Sequence, residues 1–274
     1  MGPGVVALLG GGGMNLLRLL AIFSRLGAMN EVQYRANFWI QLVRTAMNLG
    51  FALFAVFIVF DHTDQLNGWT PPELVVLMGV WTLMGGILGV VVQPSMEKLI
   101  EDVRQGTLDF TLTKPEDAQL LVSVSQVRVW RLVDVIVGPI VIGVALSYMG
   151  KATGLGEAIA FAVTLTAGSL ILYSFWLMLS TVAFWFVRIE NILMIFHSMY
   201  DAARWPVTIY PGWMQAILTF IVPVAFAVTV PAGALVGRLS SSWIIGTVVL
   251  AGVLLVVSRL FWTIGVRHYS GASA

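Results

Sequence analysis

The chain has 274 residues, of which 58% are hydrophobic and only 11% are charged, with a formal net charge of +1 and no cysteine. Soluble domains carry about 25% charged residues, so this composition excludes a water-soluble surface. The small net charge gives no indication of a nucleic-acid partner, and the lack of cysteine excludes disulfides and thiolate metal sites. Long apolar stretches predict an all-α, polytopic membrane protein, because backbone groups in lipid must be paired within helices or closed barrels.

The N-terminal segment, residues 1–37, is predicted to precede a membrane-spanning domain of residues 38–274. Between Asn15 and Gly27, a helical wheel places Arg18 and Arg25 on one face and apolar side chains on the other. This pattern is typical of a helix lying in the membrane interface, which both arginines would anchor. Residues 1–13 are apolar and glycine-rich with no preceding cationic region, which disfavours a signal peptide and leaves Met14 as an alternative start.

Six membrane spans are predicted, at about 38–60, 74–92, 132–148, 158–186, 191–205 and 243–266. The connection 94–131 is long and cationic, whereas the connection between the first two spans carries Asp61, Asp64 and Glu73 but no Lys or Arg. The positive-inside rule therefore predicts that 94–131 and both termini are cytoplasmic.

The fifth span and the segment after it are less regular. Residues 191–205 give about fifteen positions, fewer than the roughly 20 that a full crossing needs. Residues 211–238 contain Pro211, Pro223 and Pro231 and are apolar enough to enter the membrane. We expect them to enter and leave on the outer side, which keeps both termini inside and is tolerated where the interrupted backbone is buried in protein. The alternative is that 191–210 stays cytoplasmic and the later segment spans; both arrangements have six crossings.

Four ionisable residues lie in or near the predicted spans. Arg44 and Arg259 each sit about two turns from the cytoplasmic end of a span. An intramembrane charge is a functional-site candidate, but at this depth a long side chain can reach the headgroups, so both are predicted to be membrane anchors. Asp134 and Glu157 lie close to the interfaces and are expected to be solvated. No chain of buried acids or histidines suggests a proton relay.

The second span carries Gly85, Gly86 and Gly89, a spacing of small residues that permits close approach of two helix backbones. The approaching helix could belong to the same chain or to a second subunit, and the sequence leaves both open.

No catalytic chemistry is predicted for this chain. A phosphate-binding loop needs a glycine-rich turn ending in Lys followed by Ser or Thr, and the nearest match, Gly150-Lys151-Ala152, lacks the hydroxyl. The three histidines are far apart in the sequence, so no metal site is predicted. Nothing resembles a nucleophile with its base. We therefore expect neither an enzyme nor a cofactor.

One amphipathic helix is predicted within the cytoplasmic connection. Its apolar positions recur at helical spacing, at Met96, Leu99, Ile100 and Val103. Glu97, Glu101 and Asp102 occupy the other faces, and Gly106 supplies a C-terminal stop. Helices that lie on lipid favour Lys and Arg, so the acidic residues favour a protein partner for the apolar stripe.

A longer stretch carries a family resemblance. Residues 204–214 read Arg-Trp-Pro-Val-Thr-Ile-Tyr-Pro-Gly-Trp-Met, and further prolines follow. This region resembles the external re-entrant hairpin of ATP-binding-cassette (ABC) type-2 permeases, with matching residues Pro206, Pro211, Gly212, Trp213, Pro223 and Pro231. The stretches 100–115 and 31–39 resemble the same family, and the resemblance covers the chain from Met14 onward.

The resemblance implies an N-terminal elbow helix, six spans and a coupling helix after the second span. The residues of that helix would be Met96, Glu97, Leu99, Ile100, Glu101, Val103 and Arg104. It also implies two kinds of partner: a nucleotide-binding ABC ATPase subunit that binds ATP and magnesium, and a second copy of the chain or a paralogous permease. Membrane lipids would surround the complex in the inner or plasma membrane.

The leading hypothesis is therefore a permease subunit for ATP-driven export of an apolar or amphipathic substrate. A non-transporting membrane scaffold or assembly module is the alternative. An ion-coupled secondary transporter is disfavoured, because neither intramembrane acids nor inverted repeats are visible.

Overall fold

The computed structural model describes residues 35–150, 153–186 and 190–269. The predicted interfacial helix with Arg18 and Arg25 lies outside these residues. The described chain is helical and contains, as a β-type contact, an isolated bridge between Leu66 and Trp69. The predicted all-α class is confirmed.

The helices are, in chain order, α1 Arg35–Phe60, α2 Pro71–Ile87, α3 Gln93–Gln105, α4 Asp109–Leu112, α5 Ala118–Ser123, α6 Leu132–Tyr148, α7 Leu155–Thr181, α8 Glu190–Ala202, α9 Gly212–Ala216, α10 Val224–Ala227, α11 Thr229–Leu235 and α12 Ser241–Arg267. In the described ranges, five stretches are long and apolar enough to cross a membrane, at 36–60, 71–105, 129–148, 155–184 and 241–267. The pair 212–221 and 224–235, bent by 72°, would be a sixth if it counted as one span. These stretches confirm a polytopic membrane protein.

The second span and the predicted amphipathic helix form one continuous helical stretch of 35 residues. A π-helical turn, Leu88–Val92, joins α2 to α3. Pro94 has no N–H to donate to the carbonyl of Val90, four residues earlier. The backbone N–H of Arg128 donates to that carbonyl instead, at 2.8 Å. At about 1.5 Å per residue the stretch is roughly 50 Å long, which exceeds a bilayer core of about 30 Å, so α3 projects beyond the membrane.

The bundle has two ends, which we name by the segments that form them. The loop end consists of residues 93–131, and the hairpin end consists of the 61–70 connection with the two ends of 207–238. α1 starts at the loop end, where Gln41 donates to Asp134 at 2.8 Å. α12 also ends there. The ring centroid of Tyr269, just after α12, lies 5.8 Å from that of Phe184, and the turn 182–184 that follows α7 contacts α3 at the loop end. The described chain thus starts and finishes at the same end, as an even number of crossings requires.

The predicted fifth span corresponds to α8, which has only 13 residues and is not among the stretches that are long and apolar enough to cross a membrane by themselves. The Tyr200 hydroxyl donates to the carbonyl of Trp81 at 2.8 Å, and the Trp81 indole donates to the carbonyl of Tyr200 at 3.1 Å. Residues 203–206 are non-helical and are followed by a 3₁₀ turn, Val207–Ile209. Asn67 at the hairpin end donates to the carbonyl of Thr208 in that turn. These contacts favour passage of the chain from α8 to the hairpin end, and a crossing of the membrane at this point stays a prediction.

The segment from α9 to α11 begins and ends at the hairpin end. Its start contacts Asn67 through Thr208, and its finish is held by Arg238, which donates to Glu73 at 2.7 and 2.9 Å. Pro223 stands at the bend between the two halves. Insertion of this segment into the membrane from outside stays a prediction. Of the hairpin residues singled out by resemblance, Pro206, Pro223 and Pro231 are buried, whereas Pro211, Gly212 and Trp213 are exposed.

Glycines bring α2 and α6 into close contact. A Cβ on Gly86 would lie 2.7 Å from the backbone nitrogen of Val135, and one on Gly138 would lie 2.6 Å from the Cβ of Leu83. Gly85 and Gly89 face Tyr200 and Arg131 of the same chain. All three glycines of the predicted close-approach motif therefore pack within this chain.

Candidate functional site

The apolar stripe of α3 is buried inside the chain. Met96, Leu99 and Ile100 are 0%, 1% and 6% exposed, and Val103 packs against the same core. The stripe is covered because the connection folds back, which places α5 and the end of α7 against α3. The prediction that this stripe is the surface offered to a partner is therefore wrong, and the periodicity reflects packing within the chain.

Polar contacts fix α3 to the chain segment before α6. The Ser95 hydroxyl donates to the carbonyl of Gln126 at 3.1 Å, and Glu97 pairs with Arg128 at 2.5 Å. Gly106 ends the helix in the left-handed conformation at φ 69°, which confirms the predicted stop. The connection is thus a folded unit fixed to the base of the bundle.

The surface that this unit exposes is its tip. Leu108 is fully buried and fixes the return of the chain, whereas Phe110, two residues later, is 76% exposed. Arg104, Lys114 and Pro115 are exposed around it. Phe110 lies in α4, a helix of four residues that is too short to give a periodic signal in the sequence. Its position between the polar residues Asp109 and Thr111 is the one indication that the sequence offers.

Arg259 connects the last span to this unit. Its guanidinium donates to Asp117 at 2.5 and 3.0 Å and to the side-chain oxygen of Gln119 at 2.8 Å. The hydrogen bond from Arg259 is the main cause that lowers the pKa of Asp117 below its usual value. Arg259 was predicted to anchor the helix in the headgroups, which stays a prediction; the structure adds an ion pair that fixes α5 to α12.

A polar cavity of about 530 Å³ lies between α1, α2, α6, α7 and α8. It runs from Gln93 and Arg131 at the loop end to Trp81 and Arg204 near mid-bundle. His197 also lines it, but in the described part of the chain no three His or acidic side chains are close enough to hold a metal ion. The cavity is therefore suited to binding through hydrogen bonds and charge.

Asp134 is the buried acid of this cavity. It accepts hydrogen bonds from Gln41 at 2.8 Å, from Arg131 at 3.2 Å and from the Thr45 hydroxyl. Only 6% of the residue is exposed, so the expectation that it is solvated is wrong. Burial is possible because three donors replace the lost water, and these contacts attach α1 to α6.

The other cavity groups are mainly cationic. Arg204 lies over the Trp81 ring at 5.0 Å, and its nearest carboxylate is that of Asp201 at 3.7 Å. Arg44, which was predicted to be a membrane anchor, lines the cavity and makes no hydrogen bond or salt bridge with any residue that the structure describes. The anchoring role stays a prediction.

These helices and this cavity define a class: a multi-pass membrane protein that encloses polar groups within an apolar bundle. A family model described as ABC-2 family transporter protein matches residues 46–273. The chain belongs to this family, which confirms the resemblance and supports a permease role. The comparison with curated proteins and the comparison with solved structures each found no match.

Proposed function

We propose that the chain is the transmembrane permease subunit of an ATP-driven exporter and receives its energy from a separate ABC ATPase subunit. Family membership over residues 46–273 carries this proposal. The printed sequence has no phosphate-binding loop, so the energy of ATP hydrolysis must enter through contact with another protein. The loop end is then cytoplasmic, in agreement with its cationic residues.

The tip of the loop end is the proposed docking surface for that ATPase. With the α3 stripe buried, the most exposed large apolar side chain of this end is Phe110, with Arg104 and Lys114 close to it in the sequence and also exposed. An exposed aromatic residue inserted into a pocket is the kind of anchor that dominates protein interfaces, and charged residues at the rim affect mainly the rate and salt dependence of association.

The folded loop unit also gives a route for mechanical coupling. Force applied at the tip reaches α2 through the continuous α3, and reaches α12 through the Asp117–Arg259 pair. Movement of the ATPase would therefore shift two spans together. Pairing with a second copy or a paralogous permease would complete the transport path, with the exposed apolar faces of α1 and α12 available to lipid or to that partner.

The test compares Phe110→Ala with Phe57→Ala. Both residues are exposed phenylalanines, at 76% and 68%, but Phe57 lies in α1 near the hairpin end. Tagged chain is purified from its native membranes in mild detergent, and ATP hydrolysis by the purified material is measured. Phe110→Ala should lower both the amount of retained ATPase and the hydrolysis rate by about tenfold or more, as loss of a central anchor costs about 2 kcal/mol.

The control should retain both properties. If Phe110→Ala binds and stimulates the ATPase as the unaltered chain does, the tip is not the docking surface. If neither the unaltered chain nor the control retains an ATPase subunit, the exporter proposal fails and a scaffold role gains support.

A further inference from the structure

The charges in the cavity do not balance. Four arginines line it, and two of them are paired at short distance: Arg128 with Glu97 at 2.5 Å and Arg131 with Asp134 at 3.2 Å. Arg204 has only the 3.7 Å contact to Asp201, whose side chain is 60% exposed, and Arg44 has no acidic partner in the described chain. The cavity lining therefore carries about one uncompensated positive charge, on Arg44, which is itself an exposed residue.

Two residues that line the cavity carry hydrogen-bond donors without an acceptor in the described chain. The indole N–H of Trp176 is on a residue that is 1% exposed and has no acceptor in the described chain. The guanidinium Nε of Arg204 is likewise buried without an acceptor. Both residues line the cavity. Buried donors are nearly always hydrogen-bonded in folded proteins. Two unpaired donors together with one uncompensated positive charge therefore indicate an acceptor that carries negative charge.

We propose that this cavity binds the anionic headgroup of an amphiphile, such as a phosphate monoester, through Arg44, Arg204 and the Trp176 N–H. The walls favour an amphiphile over an inorganic ion, because Leu49, Leu88 and Phe196 line the cavity beside the polar groups. The volume of about 530 Å³ is within the usual range for small-molecule sites and is too small for a whole two-chain lipid. The headgroup and the first carbons would be enclosed, with the rest of the chain outside.

The cations are spread along the cavity. Arg128 and Arg131 lie at its loop end and Arg204 lies deeper, so an anion that enters from the loop end would meet the paired cations first. If the exporter proposal holds, this bound amphiphile is the transported substrate taken from the cytoplasmic side. That assignment rests on the proposed function, whereas binding itself does not.

The test is equilibrium binding of radiolabelled dodecyl phosphate to the purified full chain in a neutral maltoside detergent, with no ATP present. Arg44→Gln and Arg204→Gln should each weaken binding by roughly tenfold or more, as expected for loss of a charge-assisted hydrogen bond. Trp176→Phe should weaken it by a smaller factor, because it removes one neutral donor and keeps an aromatic, although smaller, ring at that position. Arg267→Gln removes the same charge from an exposed position outside the cavity and should leave affinity within about twofold.

Two competitors identify the ligand class. Unlabelled dodecylphosphocholine, whose headgroup is zwitterionic, and inorganic phosphate should both compete poorly. Equal binding by the unaltered chain and the Arg44→Gln/Arg204→Gln double variant would overturn the proposal, since binding would then be to the micelle or the outer surface. Competition by inorganic phosphate at equal affinity would overturn the amphiphile assignment.

Arg44→Lys and Arg204→Lys provide a check on folding, because they keep the charge and should retain most of the affinity. Strong binding together with no ATPase association would refute the exporter proposal alone. Normal ATPase association without dodecyl phosphate binding would refute this inference alone.

Discussion

Gly138 is the residue whose replacement should separate helix packing from other effects most cleanly. A Cβ at this position would lie 2.6 Å from the Cβ of Leu83, 2.7 Å from its backbone nitrogen and 2.8 Å from the carbonyl oxygen of Gly79. Ordinary contacts between carbon atoms lie at about 3.5–4.0 Å, so Gly138→Ala is short of space by about 1 Å. The obstructing atoms belong mainly to a backbone, so a rotamer change cannot relieve the overlap and α2 and α6 must move apart.

Overpacking of this kind costs about 1–3 kcal/mol, and we expect the upper part of that range because α2 and α6 form the most extensive helix contact in the described chain. A loss of about 2–3 kcal/mol should lower the unfolding temperature by roughly 4–10 °C for a chain of this size. The measurement is thermal unfolding of the purified protein in detergent. The unaltered chain and each variant are heated at the same rate, because unfolding of membrane proteins is often irreversible.

Gly143→Ala is the matched control. It lies in the same helix, and a Cβ there would meet nothing within 4 Å. Replacing glycine by alanine in a helix interior stabilises by up to about 1 kcal/mol, so this variant should be neutral or more stable. If Gly138→Ala and Gly143→Ala shift the unfolding temperature by the same amount and in the same direction, the close approach of α2 and α6 is not as described.

Three further predictions concern the cavity, the hairpin and the orientation. Asp134→Ala should lower the free energy of unfolding by about 3–5 kcal/mol, because it leaves buried donors without their acceptor. Asp134→Asn should lower it by less. Unfolding temperatures of the two variants check this order, and equal stability of both with the unaltered chain would contradict it. Arg238→Ala should lower the free energy of unfolding by about 1–3 kcal/mol, because it leaves Glu73 buried without its cation. A variant as stable as the unaltered chain would show that the pair does not fix the hairpin. Because the chain has no cysteine, single cysteine replacements report orientation. Gly212→Cys should react with an impermeant thiol reagent in intact cells, and Gln105→Cys should react only after lysis. Labelling of position 105 in intact cells would reverse the proposed topology.

Much of the architecture could be predicted from local patterns. The long apolar stretches, the glycine spacing of the second span and the stop at Gly106 each depend on residues close together in the sequence, and the structure agrees with them. The fifth span stays a prediction, because α8 is too short to pass as a span by length and composition. Its passage depends on contacts of Tyr200 with Trp81, which are more than a hundred residues apart.

The errors have a common physical origin. Helical periodicity shows that Met96, Leu99 and Ile100 share a face but does not show what covers that face, and here α5 and α7 of the same chain cover it. Distance from a span end likewise suggested a solvated Asp134, whereas its environment depends on donors from α1.

The partners of charged residues were the other information that the sequence could not supply. Arg44 and Arg259 occupy similar depths in their spans, yet Arg259 pairs with Asp117 and Arg44 has no acidic partner among the described residues. The difference depends on which loop folds back toward each helix. A pattern along one helix does not contain that information.

The composition and ATPase activity of the complex isolated from native membranes decide whether this chain is the permease subunit of an ATP-driven exporter. Tagged chain is extracted in mild detergent, separated by size, and examined for a stoichiometric subunit with a phosphate-binding loop and for ATP hydrolysis that depends on the tagged chain. We predict such a subunit in a fixed ratio, with hydrolysis lost when the Phe110→Ala variant is used and retained with Phe57→Ala. A chain that elutes without any ATPase subunit and shows no ATP hydrolysis, while remaining folded, would contradict it.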